Sequence, residues 1–224
     1  MHEFVLGCVS LYVLRIAFVV SLLALPVLGA TDPDLTRLLN GIEQRYNHAK
    51  SLEVQFHEAY SVNGHARQDE SGKLVLRKPG RMRWDYTAPA GKLFLSNGKD
   101  VYLYTPKTGV VERMPLKESD DMRAPLAFLL GKLDFSKEFR DFSWKAEGTN
   151  YFLAANAKSD QLPYEKIEML VTPDYQIRRL VVTASDASVL TFHFDGEKVN
   201  PPVNDSLFKF AMPPGAHLAS EDSK

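Results

Sequence analysis

One cysteine, Cys8, is all that the 224-residue chain contains, and it lies near the N-terminus. A lone thiol excludes an intramolecular disulfide and any zinc site built on several thiolates. An excess of one charge is missing too. Lys and Arg total 27 against 28 for Asp and Glu, so there is no basic field of the kind that drives counterion release from nucleic acid. Arg81, Arg83, Trp84 and Tyr86 could stack single-stranded bases, but balanced charge argues against nucleic acid as a partner.

Catalytic motifs are also lacking. The chain has no G-x-S-x-G elbow, no H-E-x-x-H and no phosphate-binding G-x-x-x-x-G-K-[ST]. Beyond the leader, His48, His57, His65, His193 and His217 share no i,i+4 face and no metal-ligand spacing, and read as scattered surface residues. Asp120 and Asp121 suit the positive start of a helix, and Glu165, Glu168 and Asp174 read as solvated sheet carboxylates. Neither an enzyme nor a metal or cofactor protein is expected.

What the chain does have begins with "RIAFVVSLLALPVLGA", where Arg15 leads an apolar run that ends in small residues ahead of "TDPD". That is the grammar of a signal peptide. Residues 1–29 are expected as the leader, with Val27 at −3 and Gly29 at −1, and residues 30–224 as a single domain. His2 and Glu3 make a poor positive region, which points to a true translational start near Val13. Two other readings stay open: "VLGC" at 5–8 imitates a lipoprotein cleavage box, and 4–28 is long enough for an uncleaved span of ~20 residues. With 45% apolar and 25% charged residues, the domain can bury a core as a monomer, without disulfides or metals.

Periodicity then sets the elements. Asp32 and Pro33 open a helix over 33–51, with Leu35, Leu38, Leu39, Ile42, Tyr46 and Ala49 on one face. From Leu52 the period drops to two, with Leu52, Val54, Phe56 and Tyr60 opposed by Glu53, Gln55 and His57. Strands are expected at 73–78, 81–87, 92–96, 100–105 and 110–114, and again at 151–158, 166–173, 176–185 and 189–196, with turn residues between them. Leu126, Leu129, Leu130 and Leu133 within 120–139 suit a short helix dividing the two groups, and the closing "ASEDSK" is expected to fray.

Closely spaced antiparallel strands with two helices imply a strongly curved sheet, mainly β within an α+β class. Several strands are apolar in both registers, as in Leu93, Phe94 and Leu95 or Val101, Tyr102, Leu103 and Tyr104. A sheet wetted on one face alternates more cleanly. Either both faces are covered, or the concave face lines an apolar cavity.

The order and spacing of "SLEVQFHEAY", "GKLVLRKPGRMRWDYTAP", "SNGKDVYLYTP", "APLAFLLG" and "NPPVNDSLFKFAMPPGA" resemble the LolA family, the periplasmic outer-membrane lipoprotein carrier proteins of Gram-negative bacteria. The resemblance implies an incomplete antiparallel β-barrel with helices forming a lid over an apolar cavity. It also implies a periplasmic carrier of acylated lipoproteins, loaded by an ATP-driven inner-membrane release complex of the ABC type and unloaded to an outer-membrane lipoprotein receptor. Strand parity places Val54, Phe56, Leu74, Leu76, Met82 and Trp84 on the cavity face, with Leu126, Leu129 and Leu130 contributed by the lid.

The family's usual arginine before the turn proline, which holds the lid through backbone carbonyls, is Lys78 here. Its bond is expected near Leu129 and Leu130. Arg77 points the other way, and Arg81 and Arg83 are expected to contact solvent or a partner. Two rival functions stay open, a periplasmic module sensing lipids or lipoproteins and a lipid hydrolase.

Overall fold

In the computed structural model, residues 33–116, 133–159 and 164–219 are described, and all belong to the unit Asp32–Lys224. The first helix, α1 (Pro33–His48), is followed by β1 (Ser51–Val62), β2 (His65–Ala66), β3 (Glu70–Arg77), β4 (Arg81–Ala88), β5 (Leu93–Asn97), β6 (Asp100–Thr105) and β7 (Val110–Pro115). After the short helix α2 (Phe135–Glu138) come β8 (Phe139–Glu147), β9 (Asn150–Ala157), β10 (Lys166–Val171), β11 (Ile177–Thr183) and β12 (Val189–Val199). A 3-10 turn (Asp205–Phe208) and the short β13 (His217–Leu218) complete the order.

Among the described residues all the strands join one 13-stranded sheet, in the order β13-β7-β6-β5-β4-β3-β1-β12-β11-β10-β9-β8, with β2 paired to β1. Two antiparallel meanders, β3 to β7 and β8 to β12, are thus joined along β1 and β12, where Leu52 pairs with Val199 and Tyr60 with Leu190. The sheet is open and curved, and β7–β13 is a parallel pair among otherwise antiparallel partners.

The core lies on the inner face. Helix α1 buries Leu38, Ile42 and Tyr46 against that face, in one cluster with residues from β1, β3, β4, β5, β9, β10, β11 and β12. Gly41 lets the helix approach closely, because a Cβ there would lie 2.3 Å from the Tyr175 ring. Polar bonds then hold α1 down. Tyr46 Oη donates to Glu197 Oε2 at 2.9 Å and accepts from Ile177 N at 2.9 Å. Arg45 binds Glu197 Oε1 through Nε at 3.0 Å and Nη2 at 2.6 Å. Asn47 exchanges two bonds with the backbone of Leu133, at 2.8 and 2.7 Å, and Glu43 accepts from Phe135 N at 2.7 Å.

The helix ends at His48, short of the expected 51, because the chain has already turned into the sheet there. Asn200 Oδ1 accepts from Lys50 N at 2.7 Å, and Ser51 pairs with Arg77. Strand β8 was not expected at all. A bulge between Arg140 and Ser143, with Asp141 at φ 55, shifts the parity. Phe139 and Trp144 therefore both oppose inner-face residues, Ala157 and Leu153, although one is odd and the other even, and the period-two signal is lost. Of the stretch 120–139, within which a short helix was expected, residues 120–132 lie outside the described residues, Asp120 and Asp121 among them. Within the remainder, Asp134 caps α2 by accepting from Lys137 N.

The outer face of β3 to β6 is covered as well. From Asn200 the chain crosses it as a strap. Arg77 donates to Val203 O at 3.0 Å and also binds Asp205. Arg81 reaches the same Asp205 oxygen at 2.6 Å, and Arg83 donates to Leu207 O at 3.1 Å while bonding Asp85. Phe208 is buried in the 3-10 turn, and Phe210 stacks on Tyr102 with centroids 4.4 Å apart.

The outer-face residues Val75 and Leu95 are buried too, and lie level with Arg83 in the sheet register. Arg81 and Arg83 therefore hold the chain's own C-terminal segment, which corrects their expected role as contacts to solvent or a partner. Apolar residues in both registers of these strands follow from the two coverings.

Burial of Phe208 contributes more to the strap than its exposed ion pairs do. Phe208→Ala is expected to cost about 3 kcal/mol in urea unfolding, and Asp205→Ala under about 1 kcal/mol. Equal losses would show that the arginine pairs, not the ring, hold the strap.

Candidate functional site

Six of the residues expected to line a cavity come together on the inner face. Val54 pairs with Leu74 and Leu74 with Trp84, while Leu76 pairs with Met82. All of them, with Phe56, are buried in the same cluster. Leu126, Leu129 and Leu130 lie outside the described residues.

The cluster extends further than sequence parity reached, taking in Phe94, Leu153, Met169, Phe192 and Phe194. Phe56 meets Trp84 and Tyr86 edge to face at 4.7 and 5.1 Å, and Trp84 lies 5.5 Å from Phe192. Trp84 Nε1 points at Met82 Sδ, 3.5 Å away. Met82 and Trp84 have 0% exposure. The rings interdigitate as in an ordinary core, so these inner-face residues pack on one another around Trp84.

A cleft reaches this cluster at the C-terminal end of α1. It is lined by Ala49, Lys50, Ser51, Leu52, Leu76 and Lys78 and has an empty volume of about 160 Å³, part of it open to solvent. The closed space within it is about that of a single water, far smaller than a small-molecule pocket. Its floor is the cross-strand pair Leu52 and Leu76, and Leu76 leads on to Met82.

Lys78 stands at the cleft, and it makes a bond that the sequence reading did not include. Nζ donates to Tyr46 O in the last turn of α1 at 2.7 Å, whereas the carbonyls near Leu129 and Leu130 lie outside the described residues. The physical reason lies in the helix end. The last four carbonyls of a helix have no partner within it and carry partial negative charge, which a cation stabilises. The register that pairs Arg77 with Ser51 brings the end of β3 there, and Lys78 N donates to Lys50 O at 2.9 Å. Burial pushes the Lys78 ammonium below its ordinary pKa.

Tyr46 was visible in the sequence only as an apolar helix position. Its hydroxyl, pushed well above its usual pKa by burial and then by the Glu197 carboxylate, fixes the helix beside the same cleft. Glu197 lay beyond the expected end of its strand, and nothing in the local pattern singled it out. Among the described residues no three His, Cys, Asp or Glu side chains gather as a metal site, and no helix is long and apolar enough to cross a membrane.

The profile of the family described as "Outer membrane lipoprotein carrier protein LolA" matches residues 47–211. An outer-membrane lipoprotein carrier protein of Proteus mirabilis is 26% identical over 175 residues, covering 78% of this chain and 84% of its own. One of Pseudoalteromonas translucida is 24% identical over 204 residues, covering 90% and 96%. The crystal structure of MucB is similar in fold, with a TM-score of 0.50 at 15% identity over 81% of this chain and 64% of that one. A LolA superfamily protein from Nitrosomonas europaea gives a TM-score of 0.44 at 10% identity, over 78% and 97%. The profile runs from the last turn of α1 across both meanders and into the strap, and the chain belongs to the outer membrane lipoprotein carrier protein family, LolA.

Proposed function

We propose that this protein is a periplasmic carrier that takes the acyl chains of lipoproteins into the interior beneath α1. It would receive them from an ATP-driven inner-membrane release complex and deliver them to an outer-membrane receptor. The observation that carries this reading is the aromatic inner face around Trp84, closed by a helix held through polar bonds at one end. The names of the curated relatives in Proteus mirabilis and Pseudoalteromonas translucida support it.

Energetics explain why such a carrier is needed. At ~0.8 kcal/mol per buried CH₂, an acyl chain of about 16 carbons costs on the order of 10 kcal/mol to keep in water. Because the inner face is filled by its own rings, acyl chains enter by exchange, with Phe56, Met82 and Trp84 giving up contacts with one another for contacts with lipid. Methionine suits this exchange, since an unbranched thioether repacks at low cost. Opening then consists of lifting α1, and Lys78 is the latch that bonds its last turn to the sheet.

An aspartate at Met82 places a charge on the apolar face, whereas one at Arg81 faces the strap. Met82→Asp is therefore expected to abolish acceptance of acylated protein, and Arg81→Asp to leave most of it. Co-purified acylated protein, read by mass spectrometry, tests this, and equal losses would mean that the inner face is not the acyl site.

Lys78→Leu removes a bond worth at most about 2 kcal/mol, the low part of the charge-assisted range because the ammonium is half-exposed. It is expected to accept cargo but stall in passing it to acceptor membranes, while Lys78→Arg transfers as the parent does. Arg77→Leu loosens the strap instead of α1 and is expected to keep transfer. Normal transfer by Lys78→Leu would remove the latch. N-terminal sequencing of the soluble fraction is expected to give Ala30 or Thr31, and a chain beginning at Met1 in the membrane pellet would overturn export.

A further inference from the structure

The cleft beside α1 has an unbalanced charge. Two of its six lining residues, Lys50 and Lys78, carry ammonium groups, and none carries a carboxylate. Elsewhere on the same strands the cations are matched. Arg77 and Arg81 share Asp205, Arg83 holds Asp85, Lys73 and Lys198 share Glu53, and Lys92 holds Glu70. For Lys50 and Lys78, no carboxylate stands within ion-pair distance among the described residues.

The neutral polar groups at the cleft are already used. Ser51 Oγ donates to Pro201 O at 2.8 Å, and Lys50 N to Asn200 Oδ1 at 2.7 Å. Of the three donors on an ammonium, Lys78 commits one to Tyr46 O. The helix terminus that receives it carries only about half a negative charge, too little to neutralise two lysines. Desolvation of Lys78 without a counterion acts in the same direction.

The floor is apolar and leads inward. Leu52 and Leu76 are buried cross-strand neighbours, and Leu76 is paired in turn with Met82 beside Trp84. A ligand that satisfies both halves has an anionic head and a hydrocarbon tail. We infer that, as α1 lifts, the cleft seats the carboxylate or phosphate of an anionic amphiphile on Lys78 and Lys50, with its acyl chain lying over Leu52 and Leu76. This rests on the acyl-binding reading and adds head-group selectivity to it, a preference that acyl burial alone does not create. It extends the range of ligands from acylated protein to ionised single-chain lipids.

Calorimetric titration of the protein with dodecanoate, dodecyl phosphate, uncharged 1-dodecanol and inorganic phosphate tests it. At low salt both ionised amphiphiles are expected to bind about tenfold more tightly than dodecanol, the worth of one charge-assisted bond. High salt is expected to narrow the gap. Lys78→Leu should lose the discrimination but still bind dodecanol, which also reports that it is folded. Lys78→Arg should keep the discrimination, and Lys50→Ala, at an exposed position, should lose part of it.

Loss of the latch alone would change all three amphiphiles together, so a selective loss for the ionised pair identifies the charge. Equal affinities for the three in the parent protein, or full discrimination retained by Lys78→Leu, would overturn the inference and leave acyl binding intact. Displacement of dodecyl phosphate by inorganic phosphate at similar concentration would also overturn it, showing an anion site without a lipid one. Failure of every amphiphile to bind, dodecanol included, would bring down the acyl-binding reading and the inference with it.

Discussion

Tyr46 is the point on which the seating of α1 on the sheet depends. Its carbonyl receives the Lys78 ammonium from the end of β3, and its hydroxyl gives to Glu197 on β12 while receiving the backbone N–H of Ile177 on β11. One residue in the last turn of α1 therefore ties the helix to both meanders. The bonds differ in kind. The hydroxyl sits in a buried, charge-assisted arrangement that would be costly to break, because the buried Glu197 carboxylate and the Ile177 N–H would each lose a partner. The carbonyl bond is half-exposed and cheap to exchange for water. The helix is thus held by a strong contact on one side and a weak one on the other.

The open sheet makes such an arrangement necessary. A closed barrel has no edges, and its interior is reached only from its ends. Here the inner face is an apolar surface that must be covered by something other than strands. Helix α1 supplies part of that cover with Leu38, Ile42 and the Tyr46 ring. The cover is polar where it meets the cleft, which keeps the inner face dry without making the contact between helix and sheet wholly hydrophobic.

Much of this was legible in the sequence, and what was missed has identifiable causes. The parity of Val54, Phe56, Leu74, Leu76, Met82 and Trp84 was readable because β1, β3 and β4 are regular over those positions, and a side-chain period of two leaves no ambiguity there. Strand β8 was hidden by a single bulged residue. The bond from Lys78 to Tyr46 could not be read from its neighbours, since only the pairing of Ser51 with Arg77 puts the end of α1 beside it. The arginines misled for a different reason. Cations near a hairpin turn look like protection of a sheet edge, and nothing local says that residues more than a hundred positions later return to lie over them.

The junction of β1 with β12 also determines how the protein can be built. Leu52 must find Val199, and Ser51 must find Asn200 and Pro201, so nearly the whole domain lies between partners at the centre of the sheet. Contacts of such wide separation incur their loop-closure entropy before they gain anything, and they slow folding. A chain emerging N-terminus first would present α1 and β1 long before their partner exists, with Val54 and Phe56 exposed in the meantime. The sequential strands of each meander can pair locally, but the junction of β1 with β12 can close only once β12 is free. Until β12 is made, the chain therefore carries an apolar surface of its own in need of cover.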